Sequence, residues 1–108
     1  MAQFDITFQV QGQGQVSLPV TALDNLIVLV NGLEVKTFRF SVQNILAADV
    51  TLNITSAQTG TAAGEVGITF DVNPVTIPAG QSATITATIT PTQPLLETDL
   101  ISVAVHGA

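Results

Sequence analysis

Asn73 to Val105 read NPVTIPAGQSATITATITPTQPLLETDLISVAV. Within this stretch Ala83, Ile85, Ala87 and Ile89 share one parity, and Thr84, Thr86, Thr88 and Thr90 share the other. Successive side chains of a strand point to opposite faces, so the alternation predicts a strand with one buried face and one threonine-covered face. Ahead of it, Pro78 presets φ for the second position of a turn and Gly80 suits the position that closes it. The chain should therefore reverse or bend sharply between Ile77 and Gln81. Behind it, Pro91 and Pro94 stop the strand, because proline has no N–H to give to a ladder. Leu100 to Val105 forms one more strand. No cluster of acids, bases or nucleophiles interrupts the stretch, which reads as framework.

The same period recurs towards the N-terminus. Phe4, Ile6, Phe8 and Val10 alternate with Asp5, Thr7 and Gln9, giving an amphipathic strand. Burying four such side chains is worth roughly 6 to 12 kcal/mol, at about 1.5 to 3 each, so this face must dock somewhere. Gln11 to Gln15, with Gly12 and Gly14 among them, reads as a flexible polar tether. Phe4, Ile6, Phe8 and Val10 are therefore candidates for an inter-subunit contact made by strand addition, against the alternative of an ordinary first strand in the chain's own sheet. Val16, Leu18 and Val20, interrupted by Pro19, suggest an edge strand. Leu26 to Val30 is apolar on both faces and is expected in the middle of a sheet.

Asn31 and Gly32 form the strongest hairpin signal, of type I′. Beyond them the apolar parity switches from Leu33 and Val35 to Phe38, Phe40 and Val42. A bulge or a crossing between sheets near Lys36 and Thr37 would produce that switch. Val50, Leu52 and Ile54 alternate with Thr51, Asn53 and Thr55. Ser56 to Glu65 reads as a small-residue loop. Val66, Ile68, Phe70 and Val72 line one more strand, ended by Pro74. Short strands with turn signals every eight to twelve residues or so predict one all-β sandwich of about eight strands over residues 1–108. Its core should include Phe40, Leu52, Ile54, Ile68, Phe70, Ile85, Ile89 and Val103.

From Lys36 onward the segments KTFRFSVQNILAADVTLNIT, VGITFDVNPVTIPAGQSATITATITP and DLISVAV resemble the immunoglobulin-like domains common on prokaryotic surface proteins and in phage virions. The resemblance rests on a V-x-N turn ahead of a V-T-L-x-I strand and on I-P-A-G-x-S ahead of a threonine-rich strand. It implies an immunoglobulin-like or jelly-roll-type β-sandwich with its core in residues 36–106, preceded by the strand and tether of residues 1–15.

Composition narrows the function. Charged residues are 9% of the chain, against about 25% in an ordinary domain, while the apolar share of 46% is normal. Thr, Gln, Asn and Ser take the outward positions, and such a weakly charged surface suits a chain covered by neighbouring subunits. Lys36 and Arg39 are the only basic side chains and the net charge is −6, which argues against nucleic acid as a partner. With no cysteine there is no disulfide framework or thiolate metal site. Leu26 to Val30 is the longest apolar run, far short of the ~20 residues of a spanning helix, so membrane insertion is not expected. MAQFDITFQV shows neither a basic start nor a continuous apolar segment, so no secretory signal is expected there.

His106 is the single histidine and reads as a solvated residue, with no partners for a relay or metal cluster. Asp71 with Asn73, and Glu97 with Asp99, are the pairs that could lend oxygens to calcium, which wants six to eight, and they read as solvated loop groups. Asn53-Ile54-Thr55 is a possible glycosylation sequon with Asn53 outward. Tryptophan and tyrosine, the usual sugar-stacking residues, are absent. The expectation is a non-catalytic structural subunit without cofactor, forming homo-oligomers or joining a larger protein assembly. A virion surface, as capsid decoration or another virion structural protein, is the first setting. An extracellular or cell-surface filament assembled by strand addition is the alternative, and a monomeric adhesion or carbohydrate-binding module is the second alternative.

Overall fold

Alternating apolar and hydroxyl side chains with no helical period leave the backbone one way to satisfy its donors, which is to pair strand with strand. In the computed structural model, which describes residues 1–108, the chain is all-β and has no α-helix. Its strands are β1 (Ala2–Val10), β2 (Val20–Ala22), β3 (Ile27–Val30), β4 (Lys36–Gln43), β5 (Val50–Leu52), β6 (Ile54–Gly60), β7 (Val66–Phe70), β8 (Val75–Ile77), β9 (Ser82–Pro91) and β10 (Leu100–Gly107). One four-stranded sheet has the order β3-β1-β10-β6 and the other β2-β4-β9-β7, with β5 and β8 forming a small third sheet. The count exceeds the expected eight because short pieces at the sheet crossings pair on their own.

The inward side chains merge into one core of 23 buried apolar residues. Phe40, Leu52, Ile54, Ile85, Ile89 and Val103 lie in it as expected, and Ile68 and Phe70 pack half-buried against it. Phe8 of the first sheet packs against Phe40 of the second with ring centroids 4.8 Å apart and planes tilted by 42°, and Phe40 meets Phe70 edge-on at 6.4 Å. These rings join the two layers. The threonines of β9 face outward or lie at intermediate depth, in keeping with the predicted parity.

Several expectations are corrected. β1 is no free arm: it lies between β3 and β10, parallel to β10 from Gln3↔Leu100 to Val10↔Gly107. Gln11–Gln15 is a hydrogen-bonded turn rather than a tether, closed by Gly12 N–H to Val16 C=O at 2.8 Å and Leu18 N–H to Val10 C=O at 2.9 Å. The weak Val16–Val20 signal gives an edge strand, β2, displaced to Val20–Ala22.

Asn31 and Gly32 do not make a type I′ hairpin. Gly32 has φ of 62° but Asn31 does not share a positive φ, and the turn carries the chain from β3 in one sheet to β4 in the other. That crossing explains the parity switch after Val35. A second crossing, at Asn53, splits the run Val50 to Thr55 into β5 and β6. The expected loop after Ser56 is strand as far as Gly60, because β10 offers it a ladder from Gly107↔Ile54 to Ile101↔Gly60. Backbone pairing does not require apolar side chains, which is why the small polar residues gave no signal. Val72 lies beyond the end of β7 and is 41% exposed.

Candidate functional site

The chemistry-bearing residues are spread along the fold and engaged separately. The Asp71 carboxylate accepts the Thr86 N–H at 2.8 Å, whereas the Asn73 amide donates to Ile54 C=O at 2.8 Å and accepts Ile54 N–H at 2.9 Å. The two side chains thus serve different strands. Asp99 is buried, contrary to the expectation of a solvated acid, and accepts the Thr61 hydroxyl at 3.0 Å and Leu96 N–H at 2.8 Å. Glu97 remains exposed two residues away. His106 is exposed on β10, between Gln9 and Thr55 of the neighbouring strands. No three acidic or histidine side chains come close enough together to hold a metal ion. Asn53 is exposed at the second crossing, where its backbone exchanges hydrogen bonds with Ala108 at 2.9 and 3.2 Å.

The N-terminal residues expected at a contact between subunits are committed elsewhere. Phe4, Ile6 and Val10 are 0%, 4% and 3% exposed within the chain's own core, and the half-buried Phe8 completes the aromatic cluster. The alternative of an ordinary first strand is the arrangement present. The reason is the long ladder to β10, which pairs one edge of the strand while its apolar face joins the common core and Phe8 meets Phe38 and Phe40 of β4.

Exposed apolar surface is found instead along β3 and at the adjacent end of the molecule. Of twelve exposed large apolar residues, nine belong to this zone: Met1, Leu23, Leu26, Ile27, Leu29, Leu33, Val35, Leu96 and Leu100. They come together because Ala2 pairs with Val30, Gln3 lies between Leu29 and Leu100, and Gly32 bridges to Leu95. On the outer face of the first sheet, Ile27 (53% exposed) and Leu29 (47%) stand beside Asp5 and Gln3. Two grooves lie beside β3, one lined by Ala22, Asp24, Leu26, Ile27 and Leu29 and the other by Ile27, Leu29, Lys36 and Thr37 among others. Contiguous apolar patches of this kind mark interaction surfaces.

β3 is an edge strand, not the central one expected. A strand apolar on both faces is expected to be buried on both, but only Val28 and Val30 turn inward. Its free edge can be assigned from backbone parity. Gln3 and Gln11 donate their N–H groups to Asp99 and Gly107, so the odd residues of β1 face β10 and the even ones face β3. Ile6 N–H accordingly donates to Leu26 C=O at 2.8 Å. Val28 and Val30 therefore bond to β1, while the N–H and C=O groups of Ile27 and Leu29 point away from the sheet.

Both basic residues of the chain sit in this zone and both are paired. Arg39 grips Asp24 through two side-chain hydrogen bonds of 3.1 Å, and the same carboxylate accepts Arg39 N–H at 2.9 Å. Chiefly through the side-chain bonds, Arg39 holds the Asp24 carboxyl below its ordinary 3.8, and the carboxylate raises the Arg39 guanidinium in turn. Lys36 lies 3.6 Å from Glu34. The signal for this surface was present in the sequence as an uninterrupted apolar run next to the only cations. No family model matches the chain, and no curated protein matches it.

Proposed function

We propose that this chain is a non-catalytic structural subunit that associates with copies of itself or decorates a repetitive protein surface. The observation that carries the reading is the concentration of exposed Leu, Ile and Val along β3 and the adjoining end, in a chain otherwise covered by Thr, Gln and Ser. Surfaces of that kind gain stability when a neighbour covers them, and a low-charge exterior offers little protection against such contact. The preferred setting is a virion surface, which the sequence resemblance to immunoglobulin-like virion domains supports. The sheet orders β3-β1-β10-β6 and β2-β4-β9-β7 are compatible with that immunoglobulin-like arrangement. An extracellular filament is the second setting, favoured by the free edge of β3. Size-exclusion chromatography with light scattering, over a wide concentration range, tests the reading. Dimers or larger species that grow with concentration are expected, and a strict monomer at millimolar concentration that also binds no larger particle overturns it.

A further inference from the structure

We infer that β3 is the seam of a symmetric dimer, in which the β3 edges of two copies pair antiparallel and join their four-stranded sheets into one. The inference rests on the self-association proposed above and adds where and how the copies meet. Its first ground is that the partner must supply backbone. Ile27 and Leu29 present N–H and C=O groups on a free edge, so what completes them is a strand rather than an isolated side chain.

The second ground is self-complementarity. With a two-fold axis normal to the sheet and midway between the Val28 residues of the two copies, Ile27 N–H donates to Leu29 C=O of the second copy, Leu29 N–H donates to Ile27 C=O, and the reverse bonds follow by symmetry. Directly opposed residues carry their side chains on the same face. Ile27 therefore lies against the second copy's Leu29 on the outer face, and each covers an apolar group now half in water. The two residues with unpaired backbone are also those with exposed apolar side chains.

The third ground is charge. A chain of net charge −6 repels its own copies over most of its surface. Around β3 that repulsion is reduced, since Arg39 neutralises Asp24 and Lys36 neutralises Glu34. The strand itself, IVLV, has no charge to set against its own image. A basic partner would find no unpaired acid close to this edge other than Asp5, whose carboxylate already accepts from Gln3. A second copy fits this neutral, apolar edge better.

The test uses the full chain, followed by sedimentation equilibrium and by amide hydrogen exchange at low and high concentration. The Val28 amide, bonded to β1, should be protected at every concentration. Those of Ile27 and Leu29 should become protected only where the dimer forms. The double variant Ile27→Lys with Leu29→Lys places charge at exposed positions and should weaken association at least about tenfold, ~1.4 kcal/mol, with the melting temperature little changed. Leu29→Pro removes an N–H that has no partner within the chain and should act similarly; if it impairs folding, the lysine variant and the exchange data still decide. A dimer in which the Ile27 and Leu29 amides exchange as fast as in the monomer, or one that survives the lysine substitutions, overturns the seam and leaves self-association standing. A chain that never associates overturns both.

Discussion

Asn44 is fully buried at the end of β4, and every polar atom of its side chain is engaged. Its amide nitrogen donates to Ala48 C=O and Ile77 C=O, each at 2.9 Å, and its oxygen accepts Leu46 N–H at 2.9 Å. One side chain thus ties the β4–β5 loop to β8. Asn44→Ala would strand those backbone groups and should lower stability by at least about 2 kcal/mol in chemical denaturation, while the exposed Asn53→Ala should stay within about 0.5 kcal/mol. Gly60 has φ of 121°, and a Cβ there would collide with the Leu100 carbonyl oxygen. Gly60→Ala should therefore destabilise by more than about 1 kcal/mol, since the strained φ and the backbone clash act together. At the Asp24–Arg39 pair the sign is set by a depressed carboxyl. Its contribution to stability is present above 3.8 and is lost as pH falls through the lower value of the folded state. Carbon-detected NMR should find Asp24 titrating below 3.8 and returning to the ordinary range in Arg39→Gln.

At the level of strands, β1 and β10 are the interior members of one four-stranded sheet and β4 and β9 those of the other. Deleting residues 1–12 should abolish the cooperative melt, because it removes Phe4, Ile6 and Val10 from the core and leaves β10 without its parallel neighbour. Ile85→Ala should cost about 2 to 5 kcal/mol by calorimetry, whereas the exposed Thr84→Ala should be near neutral. The inward parity of β9, β1, β4 and β10 was legible in the sequence because apolar alternation directly reports a face in contact with a core. Apolar alternation could not show where β1 docks, since a strand's own pattern says that a face is buried and not against what. It failed for Leu26–Val30 for the opposite reason: apolar residues on both faces suit an interior strand and a sticky edge equally. Ser56 to Gly60 was unreadable because its order comes from β10, some forty residues away in the chain. The chemically plausible pairs Asp71 with Asn73 and Glu97 with Asp99 are near neighbours in sequence, yet Asp71, Asn73 and Asp99 serve as separate backbone clamps and Glu97 stays exposed.

The molecule as a whole is elongated, 46 × 19 × 19 Å, with its apolar zone along one flank and one end. Its eight acids outnumber two bases, so copies approach against a long-range repulsion that salt screens. Association measured by light scattering should strengthen as ionic strength rises from ~0.01 to ~0.15 M, where the Debye length shrinks from about 30 to 8 Å. A contact driven by ion pairs between copies would weaken instead. The parallel pairing of β1 with β10 has a further consequence, in time rather than in space. During synthesis β1 has no partner on its β10 side until residues 100–107 have been made. Nascent chains must keep Phe4, Ile6, Phe8 and Val10 apart from other apolar segments while the residues between β1 and β10 are made. Folding of such a non-local topology is slow and the first sheet closes only once β10 has been made, so a chaperone that shields β1 until then should raise the yield of native protein.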